Sequence, residues 1–356
     1  MHRVAVRILH AGEVGPWPLE RALLDARARN AQRLAGLFVG AGADDVDIIT
    51  ATARIDSFGA RLRALGTELR SNGLVLLGSG AIPLATPRDA SRLVDGARSG
   101  GRQALANNRY SADVLALGEG GVLRDAPDLP GDNALARWLE EAAGFAVDDL
   151  RHRWRLQVDL DSPLDALLIG DQLPGVETTT VGVRLESLRR VAADRRSELV
   201  VAGRTSATTL RWLERNTACR IRALVEERGL RASAREALAA TESEVETARP
   251  PRSVLGLLLD DRGPQAIGEV LAELGDAAIV DTRVLLAHRL GVDERGWPAA
   301  EDRFASDLLL PDGIRDPWLR KLTRSAREAP IPVLLGGHSL VGPGVRLAIR
   351  TARTAP

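Results

Sequence analysis

Asp159 and Asp161 are the residues best placed for chemistry, in the stretch Arg155-Leu-Gln-Val-Asp159-Leu-Asp161-Ser-Pro163-Leu-Asp165. Read as a strand running into a proline-started helix, this stretch puts both carboxylates on one strand face, about 7 Å apart. Pro163 suits the first helical turn. Two carboxylates at the carboxyl edge of a strand, beside a helix N-terminus, can hold a hard cation and the phosphate it carries. The plainer reading stays open: Asp161 or Ser162 caps the helix, and Asp159 is a solvated strand end.

Such residues need strands to present them, and the first 170 residues alternate apolar strands with helices. Strands are expected at 3–10, 45–51 and 73–78, and helices at 17–40 and 58–70. A helix follows Thr86-Pro87 as far as 98. Continuously apolar runs bounded by glycine suit parallel strands covered on both faces. Successive β-α units then predict an open, doubly wound α/β sheet, with ligands beyond its carboxyl edge. Short strands at 103–106 and 113–117 flank Asn107-Asn108-Arg109-Tyr110. A turn-rich excursion spans 118–132, and a helix at 133–143 is capped by Asp132. Residues 183–246 read as mostly helical and rich in arginine, including 205–216 and 220–228. A linker is expected at 241–251. A second, smaller α/β section opens at 254–260, continues through a helix at 264–274 and a run at 277–280, and closes with a strand at 331–335. The expected division is therefore 1–172, 173–250 and 251–356.

Composition narrows the reading. With 356 residues, 45% of them hydrophobic, the chain can bury a sizeable core. Basic and acidic side chains balance at 48 each, so no field indicates nucleic acid or an anionic membrane. No apolar run approaches the roughly 18 residues of a membrane span, and no signal peptide is evident, so a cytoplasmic protein is expected. A lone Cys219 excludes an internal disulfide and a cysteine zinc site. Lys321 is the only lysine, so phosphate charge elsewhere falls to arginine, which cannot serve as a base.

The N-terminal 170 residues resemble GT-A-like nucleotidyltransferases, the group containing molybdenum-cofactor and 2-phospholactate guanylyltransferases. The resemblance rests on Leu9-His10-Ala11-Gly12-Glu13-Val14-Gly15 after the first strand and Gly78-Ser79-Gly80-Ala81-Ile82-Pro83-Leu84 after the third. Asn107-Asn108 before Val114-Leu-Ala-Leu117, and Asp159-Leu-Asp161-Ser-Pro-Leu-Asp165, complete it. It implies a three-layer GT-A-like fold that transfers a nucleotidyl group from a nucleoside triphosphate to a small phosphorylated or acidic acceptor. In that scheme Asp159 and Asp161 bind Mg2+, Gly12, Gly78, Ser79 and Gly80 lie against base and phosphates, and Asn107 and Asn108 orient the ligand. The chain departs from the family at two points. The first loop carries Glu13 and Val14 instead of basic residues, and Ser79 stands where the family has an aspartate. The competing expectation is a catalytically silent ligand-binding or scaffolding protein that retained the fold.

Arginines are then the expected phosphate ligands: Arg3, Arg7 and Arg21 near the first loop, with Arg88 or Arg109 reaching in from neighbouring loops. Among the histidines His10 is the most site-like, since it follows the first strand. Gly336-Gly337-His338-Ser339 resembles a hydrolase elbow, but its next glycine comes one residue late and no acid or histidine follows Ser339. Its other reading is a glycine-rich turn whose backbone amides and His338 meet an anion. Asp281, Arg283, Asp302, Arg303 and Asp307 form a further charged set that sequence alone does not assemble.

Overall fold

The computed structural model describes residues 3–12, 15–51, 58–69, 73–129, 134–226, 251–291 and 294–349. The expected cap Asp132, the loop residues Glu13 and Val14 and the linker residues 241–250 lie outside them. The chain forms two compact units: the first gathers the first strand with Leu24–Leu160, and the second gathers Gly15–Leu23 with the described residues from Asp161 onward. The α/β sections expected at each end are present. The carboxyl section draws its sheet from both sides of the expected linker.

In the first unit the strands are β1 (Val4–His10), β2 (Asp45–Thr50), β3 (Gly73–Gly78), β4 (Gln103–Ala106), β5 (Val114–Leu117) and β6 (Ala146–Asp149). They form a six-stranded sheet in the order β2-β1-β3-β5-β4-β6. The sheet is mixed: β5 runs antiparallel to both neighbours, and the other pairings are parallel. The period of two sorts β1 cleanly. Val4, Val6 and Ile8 join Leu34 and Phe38 of helix Pro18–Gly40 and Leu93 and Val94 of helix Pro87–Arg98. Ala5 instead joins Leu62 and Leu65 of helix Phe58–Leu69, with Leu135 and Leu139 of helix Leu135–Glu141. Both sheet faces are therefore covered. Each large side chain buried there stabilises the fold by about 1.5–3 kcal/mol.

Arg7 sits among the apolar residues of β1, almost wholly buried. Its guanidinium is held by Asp45 at 2.6 Å and Glu68 at 2.9 Å, so its charge is neutralised inside the fold.

The second unit contains β7 (Glu198–Gly203), β8 (Arg220–Val225), β9 (Ala277–Asp281) and β10 (Val333–Gly336). These make a four-stranded parallel sheet in the order β10-β9-β7-β8. Two expectations change here. Within 183–226, the described part of the stretch expected to be mostly helical, the strands β7 and β8 alternate with helices. Arg220–Val225, expected in a helix, is a strand at the edge of the sheet among the described residues, where β8 pairs only with β7 and its exposed arginines suit an edge. Helices Val254–Arg262, Ile267–Leu274 and Pro317–Glu328 share one core with Val200, Val280, Val333 and Leu335. Helix Thr179–Ala193 packs against β7, β9 and β10. Among the described residues no helix is long and apolar enough to cross a membrane.

The stretch 155–161 is not a strand. Trp154–Gln157 is a turn of 3-10 helix, followed by one isolated antiparallel bridge between Asp159 and Ala81. The edge that it meets is the short loop after β3, too brief to support a ladder. The expected sharing of a strand face by Asp159 and Asp161 therefore has no strand to enforce it.

Candidate functional site

In the first unit the chain reverses its progress across the sheet at β1, which lies between β2 and β3. The carboxyl ends of β1 and β3 thus flank a topological switch point, where open α/β sheets bind ligands. The backbone builds this edge tightly. Ser79 N–H donates to Leu9 O at 2.8 Å, and Ala51 N–H donates to His10 O at 2.9 Å. A Cβ on Gly12 would lie 2.3 Å from the Ala51 carbonyl oxygen, so only glycine lets these chains approach.

Above that edge His10 Nδ1 and Ser79 Oγ form a hydrogen bond of 3.0 Å. Arg27, on helix Pro18–Gly40, donates from Nε to Leu160 O at 2.7 Å. A Cβ on Gly80 would stand 3.0 Å from that same Nε. Burial and then the nearby Arg27 charge hold His10 below the ordinary histidine range, so near neutrality its ring is uncharged. The edge thus offers one partly exposed guanidinium, a neutral imidazole and a buried hydroxyl.

The loop Gly78–Leu84 is locked from the same helix. Asn30 Nδ2 donates to Ser79 O at 2.8 Å and to Ala81 O at 3.0 Å, and Arg33 donates to Ile82 O at 3.1 Å and Ala85 O at 3.2 Å. These bonds hold the fully buried Ile82 at φ 42°, a left-handed conformation costly for a β-branched residue.

The structure brings Gly12, Gly78, Ser79, Gly80 and Asp159 to this edge, with Leu160 N–H donating to Gly80 O at 2.9 Å. Asn107 has a different task. Its amide donates to Asp113 Oδ2 at 2.8 Å and Leu156 O at 2.9 Å, while Oδ1 accepts from the Asp113 and Val114 N–H groups. Those four bonds fill its capacity and brace the β4–β5 turn. Asn108 Oδ1 accepts the Tyr110 N–H at 3.1 Å, a local turn contact.

Asp161 opens the second unit, whereas Leu160 closes the first. Its N–H donates to Asp165 Oδ2 at 3.2 Å, and Ser162 completes a capping box with Asp165 at the start of helix Pro163–Leu168. The plainer reading of Ser162 as the cap is the observed one. Burial, and after it the Asp161 charge, push the Asp165 carboxyl up to about 7. The boundary between the two units falls between these carboxylates, with Asp159 in the first and Asp161 in the second. Among the described residues no three or more His, Cys, Asp or Glu side chains are grouped to hold a metal.

Of the arginines expected near the first loop, Arg7 is spent on Asp45 and Glu68, and Arg109 pairs with Glu140. Arg3, Arg21 and Arg88 are exposed. Arg27 and Asn30 escaped the sequence reading. Their spacing of three places them on one helix face, a signal hidden among the other arginines of that helix.

In the second unit Asp281, Arg283 and Asp307 come together, whereas Asp302 accepts the Arg315 and Asp316 N–H groups elsewhere. Ser339 Oγ has no hydrogen-bond partner among the described residues, so no serine-histidine relay forms there. His288 bonds Asp260 at 2.9 Å and accepts the Ser253 N–H, tying down a helix start. No protein-family model matches this chain, and no curated protein matches it.

Proposed function

We propose that the first unit binds a nucleoside triphosphate or a related phosphorylated small molecule at the β1–β3 carboxyl edge, as a nucleotidyltransferase-like domain that kept the fold without the two-carboxylate magnesium centre. The observation that carries this reading is the convergence of Arg27, His10, Ser79 and Gly80 at the switch point of the sheet. Arg27 supplies the charge that the family draws from its first loop. The glycines let ligand approach the backbone. A mixed sheet covered on both faces is compatible with the GT-A-like comparison.

Nucleotidyl transfer to an acidic or phosphorylated acceptor is the stronger form of this reading. It would need Mg2+ at Asp159, the one expected carboxylate paired with the Gly80 loop. Asp161 gives its N–H and the influence of its charge to Asp165 at the start of the next helix, which favours binding without transfer over a two-carboxylate centre.

Thermal-shift titration of the four nucleoside triphosphates, with and without Mg2+, tests the proposal. A ligand at about 100 times its dissociation constant adds about 2.7 kcal/mol. Stabilisation independent of Mg2+, with no pyrophosphate released, supports binding alone. Pyrophosphate release that requires Mg2+ and disappears in Asp159→Asn would instead establish transfer. No stabilisation by any triphosphate would remove both.

A further inference from the structure

The second unit has its own switch point. From β7 the chain goes to β8 on one side, while β9 and then β10 line up on the other. The carboxyl ends of β7 and β9 therefore flank a crevice position in a sheet whose strands all run parallel. Nothing in the nucleotide reading of the first unit uses it.

Charged and polar groups from the carboxyl ends of β7, β9 and β10 meet there. After β7, Arg204 grips Asp281 at the end of β9 through Nε at 2.7 Å and Nη2 at 3.2 Å. Gly203 at φ 126° makes this possible, because a Cβ there would fall 2.3 Å from the Asp281 Cβ. Arg283 pairs with Asp307 at 2.5 and 2.7 Å and donates to Thr282, whose hydroxyl donates to Gly336 O at the end of β10. A Cβ on Gly337 would be 3.8 Å from Arg283 Nε. Burial pushes the Asp281 carboxyl up, but Arg204, and after it His338, hold it below the ordinary carboxylate range; His338 thus lies within electrostatic reach. The helix His338–Val341 packs against β7, β9 and β10.

Two groups at this edge are unsatisfied. Thr205 Oγ1 and Ser339 Oγ are buried and have no hydrogen-bond partner among the described residues. Thr205 follows Arg204, and Ser339 follows His338. A buried hydroxyl without a partner is costly and rare in folded proteins. Two of them, each next in sequence to a cationic or imidazole residue just after the carboxyl ends of β7 and β10, are accounted for by a ligand that supplies acceptor oxygens.

We propose that the second unit binds the phosphate group of a small molecule at the β7–β9 edge. Arg204, fixed by Asp281, His338 and the hydroxyls of Thr205 and Ser339 supply the contacts. Asp281 orients the guanidinium through Nε and Nη2 and leaves Nη1 outside the pair. The two arginine-aspartate pairs neutralise each other, so the site takes one compact oxyanion and not a polyanion. Both donor hydroxyls favour a tetrahedral phosphate, with several acceptor oxygens, over a planar carboxylate.

Inorganic phosphate is the probe, titrated by calorimetry and thermal melting into the full chain carrying Arg27→Gln, so that the first unit's site does not contribute. Saturable binding with a rise in Tm is expected. Adding Thr205→Val and Ser339→Ala should weaken phosphate by at least about tenfold, while the ligand-free protein melts no lower than its parent, because two unsatisfied hydroxyls are gone. Acetate should not compete at the same concentration. Should the double substitution fail to fold, Arg204→Lys keeps the charge but loses the fork, and should weaken phosphate by a similar factor. No phosphate response in the Arg27→Gln chain, unchanged affinity in the folded variants, or acetate binding as tight as phosphate would each overturn the assignment.

Discussion

His10 and Ser79 join side chain to side chain at 3.0 Å across the carboxyl ends of β1 and β3. Because Ser79 also donates its N–H to Leu9 O, the bond is anchored on both strands. A hydroxyl and an imidazole fixed in this way are preorganised for a ligand arriving at the sheet edge, and little rotamer entropy remains to be lost on binding.

That preorganisation depends on Asn30. Asn30→Ala leaves the Ser79 and Ala81 carbonyls without their buried donor, and should cost about 1–3 kcal/mol of stability. Ile82 would then relax from its left-handed conformation. Chemical denaturation measures the first effect. Triphosphate affinity should fall with it, and an unchanged affinity would show that the loop shape does not matter for binding.

Phe38 tests the layered core independently of the site. It is fully buried between helix Pro18–Gly40 and β1. Phe38→Ala should destabilise the chain by about 3–5 kcal/mol in urea unfolding. A loss below about 1 kcal/mol would contradict the packing described.

Asp165 makes stability depend on pH. Its carboxyl ionises at about 7 in the fold against 3.8 ordinarily, so the folded chain keeps a proton that the unfolded chain has released. Stability from this group is full below about pH 4 and is lost as pH rises to about 7, a change of order 4 kcal/mol at about 1.36 kcal/mol per unit. Asp89 and Asp281, held below the ordinary range, act the opposite way, but only under about pH 4. Asp165→Asn should therefore flatten the decline between pH 4.5 and 7 in denaturation series, conditions of roughly that range being set by the same shift. An unchanged slope would show that Asp165 titrates normally.

The sequence made much of this fold legible, for physical reasons that vary by element. In β1, Val4, Val6 and Ile8 alternate cleanly against Ala5 and Arg7, because a covered strand must satisfy two faces. Ser162 and Pro163 marked a helix start locally, by side-chain capping and by proline's fixed backbone angle. β8 misled because Arg220 and Arg222 on an exposed edge strand carry the charge pattern of a helix surface. The 155–161 stretch misled because a strand needs a partner of its own length, and this one meets the loop after β3 in a single bridge at Ala81. Glycines 12 and 80 were legible as loop residues, but Arg27 was not. Its role comes from the packing of its helix over Gly80 and Leu160, which no local pattern encodes.

Arg27→Gln is the most direct test of the central claim, that the first unit binds triphosphate through a guanidinium at the β1–β3 edge. Isothermal titration of nucleoside triphosphates into wild type and variant, each with and without Mg2+, is the measurement. The expected result is binding in the wild type with or without Mg2+, weakened in Arg27→Gln by about 1.5–3 kcal/mol, the range for a hydrogen bond to a charged group. Equal affinity in both proteins, or binding that appears only with Mg2+ and ignores Arg27, would contradict it.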